Sequence, residues 1–144
     1  PPAIDEVGLL AAIRQRALGL SEAVVFEVRG PTAMPDLPAA VETAAFRIAA
    51  EAMTNVTRHA SATRCEVDIT ITGDEFAITV TDNGRGTAST VRPGMGWESM
   101  RERAAELGGS LTLTNGAPGT GLSVHAVLPH RPSPGHLAEA GERA

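Results

Sequence analysis

The chain has 144 residues and a formal charge of −5 at pH 7, the size of one domain able to bury a core. All twelve Lys/Arg positions are arginine, and lysine and tyrosine are absent. Chemistry that needs an ε-amine is therefore excluded: Schiff-base and pyridoxal enzymes, P-loop NTPases, and kinases with a lysine on the third strand. The acidic balance also argues against broad binding to nucleic acid, whose affinity comes largely from counterions released by a basic surface.

No apolar run approaches the roughly 20 residues that span a bilayer, and no signal peptide is present, so no membrane contact is expected of this segment. The single cysteine, Cys65, has no thiol or histidine at metal-ligand spacing and reads as a strand residue in a reducing, cytoplasmic setting. The first residue is proline rather than methionine, and the segment is read as a piece of something longer.

Leu9, Leu10, Ile13, Ala17 and Leu18 recur at helical spacing and predict a short amphipathic helix over residues 4–18. The β-branched run from Glu22 to Gly30 predicts a strand. Pro31 to Pro38 breaks it, and Pro38 then opens a long helix to His59. Cys65, Val67, Ile69 and Ile71 alternate with polar residues, Gly73-Asp74-Glu75 turns the chain, and Phe76, Ile78 and Val80 alternate again. That pattern predicts a hairpin with one buried face.

A second helix is expected from Trp97 to Leu107, closed by Gly108-Gly109, followed by an antiparallel pair around a loop from Asn115 to Gly121. The sum is a two-layer α/β sandwich, a mostly antiparallel sheet covered on one face by helices. Residues 1–30 read as a linker helix and first strand, 31–129 as the core and 130–144 as a disordered tail.

Glu51, Asn55 and His59 stand at i, i+4 and i+8 and climb one side of the long helix. Asn55 and His59 share the angular sector of Ala44, Ile48 and Ala52, so two polar groups enter the apolar arc and require partners. Neighbouring backbone or a bound ligand could supply them. Asp82-Asn83-Gly84-Arg85-Gly86 follows a strand directly. Its residues are those of an ordinary turn; they also suit a close approach to a flat ligand, with Asp82 accepting a bond from an exocyclic amine. Gly94-Met95-Gly96 precedes a helix whose free N–H groups favour phosphate, and Gly119-Thr120-Gly121 precedes the last strand.

The ordered set, ExxxNxxxH on a helix, DNGRG after a strand, GMG before a helix and GTG before a strand, resembles the Bergerat-type ATP-binding fold. Gyrase-type ATPases, Hsp90-type chaperones, histidine kinases and mismatch-repair proteins share it. FRIAAEAMTNVTRHASA (46–62) and GMGWESMRERAAELGGSLTL (94–113) resemble more narrowly the sensor histidine kinases paired with helix-turn-helix response regulators.

The resemblance implies a catalytic domain that uses ATP and Mg²⁺. Asn55 would ligate the metal, and Glu51 would orient or deprotonate the attacking group. Arg58, where relatives usually carry lysine, and His59 would face phosphate. Asp82 would bind the adenine amine, with Gly84 and Gly86 leaving room for the ring. Gly94 and Gly96 would frame the phosphates, Thr120 and Gly121 would line the adenine pocket, and 87–93 would form the lid. Trp97 and Ser99 stand where the family more often has leucine and glycine, which changes the lid packing or gives the pocket an aromatic wall.

The implied partners are a separate dimerisation and phosphoacceptor domain and a cognate response regulator, with the parent protein either cytoplasmic or a membrane-bound sensor with this part in the cytoplasm. Acceptor histidines of that class precede an acidic residue, whereas His59, His125, His130 and His136 precede Ala, Ala, Arg and Leu. An anti-sigma-type serine kinase and a nucleotide-free interaction module are the alternatives.

Overall fold

The computed structural model describes residues 8–85, 96–116 and 121–130. Helix α1 spans Leu9–Leu18, strand β1 Val25–Arg29, helix α2 Ala39–His59, β2 Arg64–Thr72 and β3 Glu75–Asp82. Helix α3 spans Trp97–Glu106, followed by β4 Ser110–Asn115 and β5 Leu122–Pro129. The expected elements are all found, with ends moved by one to three residues where they are described. Pro38 is the N-cap of α2 rather than its first helical residue, and the expected tail after residue 130 and lid over 87–93 lie outside the described residues.

The five strands form one sheet in the order β1-β2-β3-β5-β4. β1 runs parallel to β2, a pairing that requires a crossover, and α2 provides it. The other pairings are antiparallel. Alternation decides which face is covered. Val67 pairs with Val80, Ile69 with Ile78, and Phe76 with both Ile71 and Leu128; apart from the half-buried Ile71 these side chains are buried, and they meet Ile48, Ala52, Met53, Met100 and Ala104 in one core. The opposite face carries polar pairs, such as Thr79 Oγ1 with His125 Nδ1 at 2.8 Å and Arg29 with Asp68 at 3.0 Å. Ion pairs this exposed add little stability; their effect is to keep that face wet and the helices on the other.

The inward parity of Phe76, Ile78 and Val80 continues to Asp82. A carboxylate therefore ends the strand on the buried face, under the C-terminal half of α2. Among the described residues no helix is long and apolar enough to cross a membrane.

Candidate functional site

Where β3, β5, the last two turns of α2 and the start of α3 diverge, a narrow, mostly apolar cavity opens between the layers. Its walls are Ala52, Val56, Ala60, Val80, Leu122, Val124 and Trp97, with Asn55, His59 and Asp82 as its other lining groups. A mostly apolar concavity with a few converging polar groups is the usual form of a small-molecule site. The angular reading of the long helix is borne out: Asn55 is buried and hydrogen-bonded or otherwise engaged, and His59 is half-buried on the same wall.

Asp82 is 5 % exposed. Its Oδ1 accepts the N–H of Gly84 at 2.7 Å and that of Leu122 at 3.4 Å; neither bond uses Oδ2. Burial raises its carboxyl above the usual carboxylate range, while the two N–H groups pull the other way.

The residues after Asp82 tie down the end of α2 and the entry to β2. Asn83 Oδ1 accepts the N–H groups of Thr63 and Arg64 at 2.9 and 3.0 Å, and Asn83 Nδ2 donates to Thr63 Oγ1. Arg85 donates its backbone N–H to Ala60 O and its guanidinium to His59 O, a cation on the orphan carbonyls of a helix C-terminus. Neither Asn83 nor Arg85 was singled out in the sequence, where the segment's turn composition gives no sign of which carbonyls and amides it meets.

At Gly84 a Cβ would lie 2.0 Å from Ala60 O, so its missing side chain lets the loop lie against α2. Glu51 lies outside the cavity lined by Asn55. It lines a neighbouring groove with Arg16, Phe46, Arg47, Thr54 and Arg103, and Gly96, with φ +78°, packs against it, a Cβ there falling 2.7 Å from Glu51 Oε1.

Gly121 lies against Asp82, and Trp97 forms the expected aromatic wall. Arg58 is exposed and does not line the cavity. Gly86, Gly94 and Thr120 lie outside the described residues. Among the described residues no cluster of three His, Cys, Asp or Glu could hold a metal ion.

Residues 40–132 match the family model of histidine kinase-, DNA gyrase B- and HSP90-like ATPases. The sensor histidine kinase MctS of Rhizobium johnstonii is 32% identical over 136 residues, covering 90% of this chain and 29% of MctS. The sensor histidine kinase YxjM of Bacillus subtilis is 38% identical over 92 residues, covering 64% of this chain and 22% of YxjM. The chain thus spans under a third of either relative. The histidine kinase domain of the Erythrobacter litoralis blue-light-activated kinase superposes with a TM-score of 0.67 at 25% identity, over 85% of this chain and 61% of that one. The fold is also that of the ATP-binding domain of PrrB from Mycobacterium tuberculosis, with a TM-score of 0.64 at 20% identity over 86% of this chain and 93% of that one.

Proposed function

Because the chain belongs to the histidine kinase-, DNA gyrase B- and HSP90-like ATPase family, and is in that sense an ATP-binding domain, we propose that it is the catalytic part of a sensor histidine kinase. It binds ATP in the cavity beneath α2 and passes the γ-phosphoryl group to a histidine on a separate dimerisation domain, for relay to a response regulator of the helix-turn-helix class. The observation that carries this reading is Asp82: a buried carboxylate at a strand end, on the wall of an apolar cavity. Backbone N–H groups serve its Oδ1, and neither of those bonds uses Oδ2, the oxygen we assign to the ligand.

In this reading Asp82 accepts a bond from the adenine amine, and the apolar walls take the faces of the ring. Asn55 would be a ligand of the metal that accompanies the phosphates. His59 and the exposed Arg58 meet the phosphate tail, and Glu51 orients the attacking group from the adjoining groove. By the family resemblance, Gly86 would leave room for the ring, Gly94 and Gly96 would frame the phosphates, and Thr120 and Gly121 would line the adenine pocket. Mg²⁺, when bound, neutralises phosphate charge, and phosphoryl transfer asks mainly for that and for positioning.

Two histidines of the chain have structural work: His125 Nδ1 bonds Thr79 Oγ1, and buried His130 bonds Gly73 O through Nε2 at 2.8 Å. That supports an acceptor elsewhere. The sensor kinases among the relatives do not favour the serine-kinase alternative, and the buried carboxylate does not favour a nucleotide-free module.

The test is a transfer assay with γ-labelled ATP, Mg²⁺, this chain and the separately produced phosphoacceptor domain of its own parent protein. Label is expected on the acceptor and not on the chain; label stable on the chain, or none on either, would contradict the proposal.

A further inference from the structure

Trp97 is the only tryptophan of the sequence. It opens α3, is 5 % exposed, and lines the cavity together with Asp82. Its indole Nε1 is buried and, among the described residues, is the one buried side-chain polar atom with no hydrogen-bond partner. An orphan donor of this kind carries an uncompensated desolvation penalty and calls for an explanation. A buried indole N–H ordinarily finds an acceptor, and where a leucine would make the same apolar contact with no polar atom to satisfy, tryptophan brings a donor.

We infer that Trp97 reads the base of the bound nucleotide, its indole N–H donating to a ring nitrogen of the purine. The inference rests on the ATP-binding reading above and adds a specificity residue to it. The chemistry of the walls selects the base over the rest of the nucleotide. Seven of the ten lining residues are apolar, so the part that enters is flat and has apolar faces, whereas ribose hydroxyls and phosphates prefer the polar rim.

The complementarity is then one of sign. Asp82 offers acceptors and Trp97 a donor; adenine offers one amine as donor and ring nitrogens as acceptors. Guanine presents N1–H and a carbonyl oxygen along the edge where adenine presents N1 and its amine, so a fixed acceptor and donor pair matched to adenine opposes it. A site built to hydrogen-bond its substrate rejects an analogue that leaves buried polar groups unpaired.

The indole N–H gives a single side-chain resonance of its kind, because no second tryptophan exists. In a ¹H–¹⁵N correlation spectrum of the wild-type chain, ATP with Mg²⁺ is expected to move that resonance downfield and to slow its exchange with solvent. In parallel, ATP and its 1-deaza, 3-deaza and 7-deaza analogues are titrated into wild type and Trp97→Phe, which keeps an aromatic wall and removes the donor. ATP should bind Trp97→Phe about five- to tenfold more weakly. One deaza analogue, the one lacking the paired nitrogen, should bind both proteins equally.

ATP binding that leaves the indole resonance in place, or deaza analogues that all lose the same factor in both proteins, would overturn the inference while leaving the ATP site standing. A wild-type chain that binds no ATP would overturn both. The resonance is read on wild type, so the outcome does not depend on how well Trp97→Phe folds.

Discussion

Gly121 is pressed against Asp82: a Cβ on it would lie 2.1 Å from the Asp82 backbone oxygen and 2.3 Å from its Oδ1. With φ at +74°, the position is also one that side chains avoid. The glycine lets the start of β5 close over the carboxylate, where the Leu122 N–H meets Oδ1. Gly121→Ala should therefore destabilise the chain by roughly 2–4 kcal/mol, from the left-handed backbone and the overpacking together. It should also weaken ATP through a displaced Asp82. Urea unfolding and nucleotide titration of the variant check the two effects separately.

Asp82→Asn separates binding from folding. Asparagine keeps an Oδ1 acceptor for Gly84 and Leu122 but replaces Oδ2 with a donor, which opposes an exocyclic amine. ATP affinity should fall on the order of a hundredfold, and the preference over GTP should narrow. Stability at pH 7 should hold or rise, because burial raises the carboxyl of Asp82 and its ionised form is the disfavoured one there. The sign follows: a raised folded-state value gives stability that is fully present below the unfolded-state 3.8 and lost as pH rises through the folded value. Paired unfolding and binding measurements on wild type and variant read both quantities.

Asn55→Ala tests the metal end. The amide is buried at 7 % exposure and engaged, so its removal should cost about 1–3 kcal/mol of stability. The Mg²⁺-dependent part of ATP affinity should disappear, while adenosine, which carries no phosphate, should bind as before. An unchanged Mg²⁺ dependence would take Asn55 out of this role.

Part of this arrangement is legible in the sequence. Strict alternation from Phe76 to Val80 carries Asp82 onto the buried face by parity alone, and the spacing of Asn55 and His59 places them in the apolar arc of α2. What stayed hidden are the contacts between elements distant in sequence. The space beside Gly84 is filled by Ala60 O, a fact of how a loop meets a helix end. Helix geometry puts Glu51 one turn from Asn55 but cannot say that α1 and α3 flank it with Arg16 and Arg103 to make a separate groove. Nor does a sequence show that the Trp97 indole lacks an acceptor, since that depends on every neighbour at once.

Cys65 gives a pH prediction of its own. It pairs with Asp82 across β2 and β3 and is fully buried. Burial first, then the charges of Asp82 and Glu66, push its thiol up from 9.0 to about 12. The thiol should be inert to disulfide reagents in the folded chain. The stability linked to it is complete below pH 9 and is lost as pH rises toward 12. Cys65→Ala should be less steeply destabilised over that window, as alkaline unfolding curves of the two proteins would show.

The most direct measurement is a calorimetric titration of the chain with ATP and with GTP, each with Mg²⁺, accompanied by the thermal unfolding midpoint. One ATP site is expected, much weaker for GTP, with a stabilisation of about 2.7 kcal/mol at a hundred times the dissociation constant. No heat and no shift with ATP, or equal binding of GTP, would contradict the assignment of the cavity beneath α2 as an adenine nucleotide site.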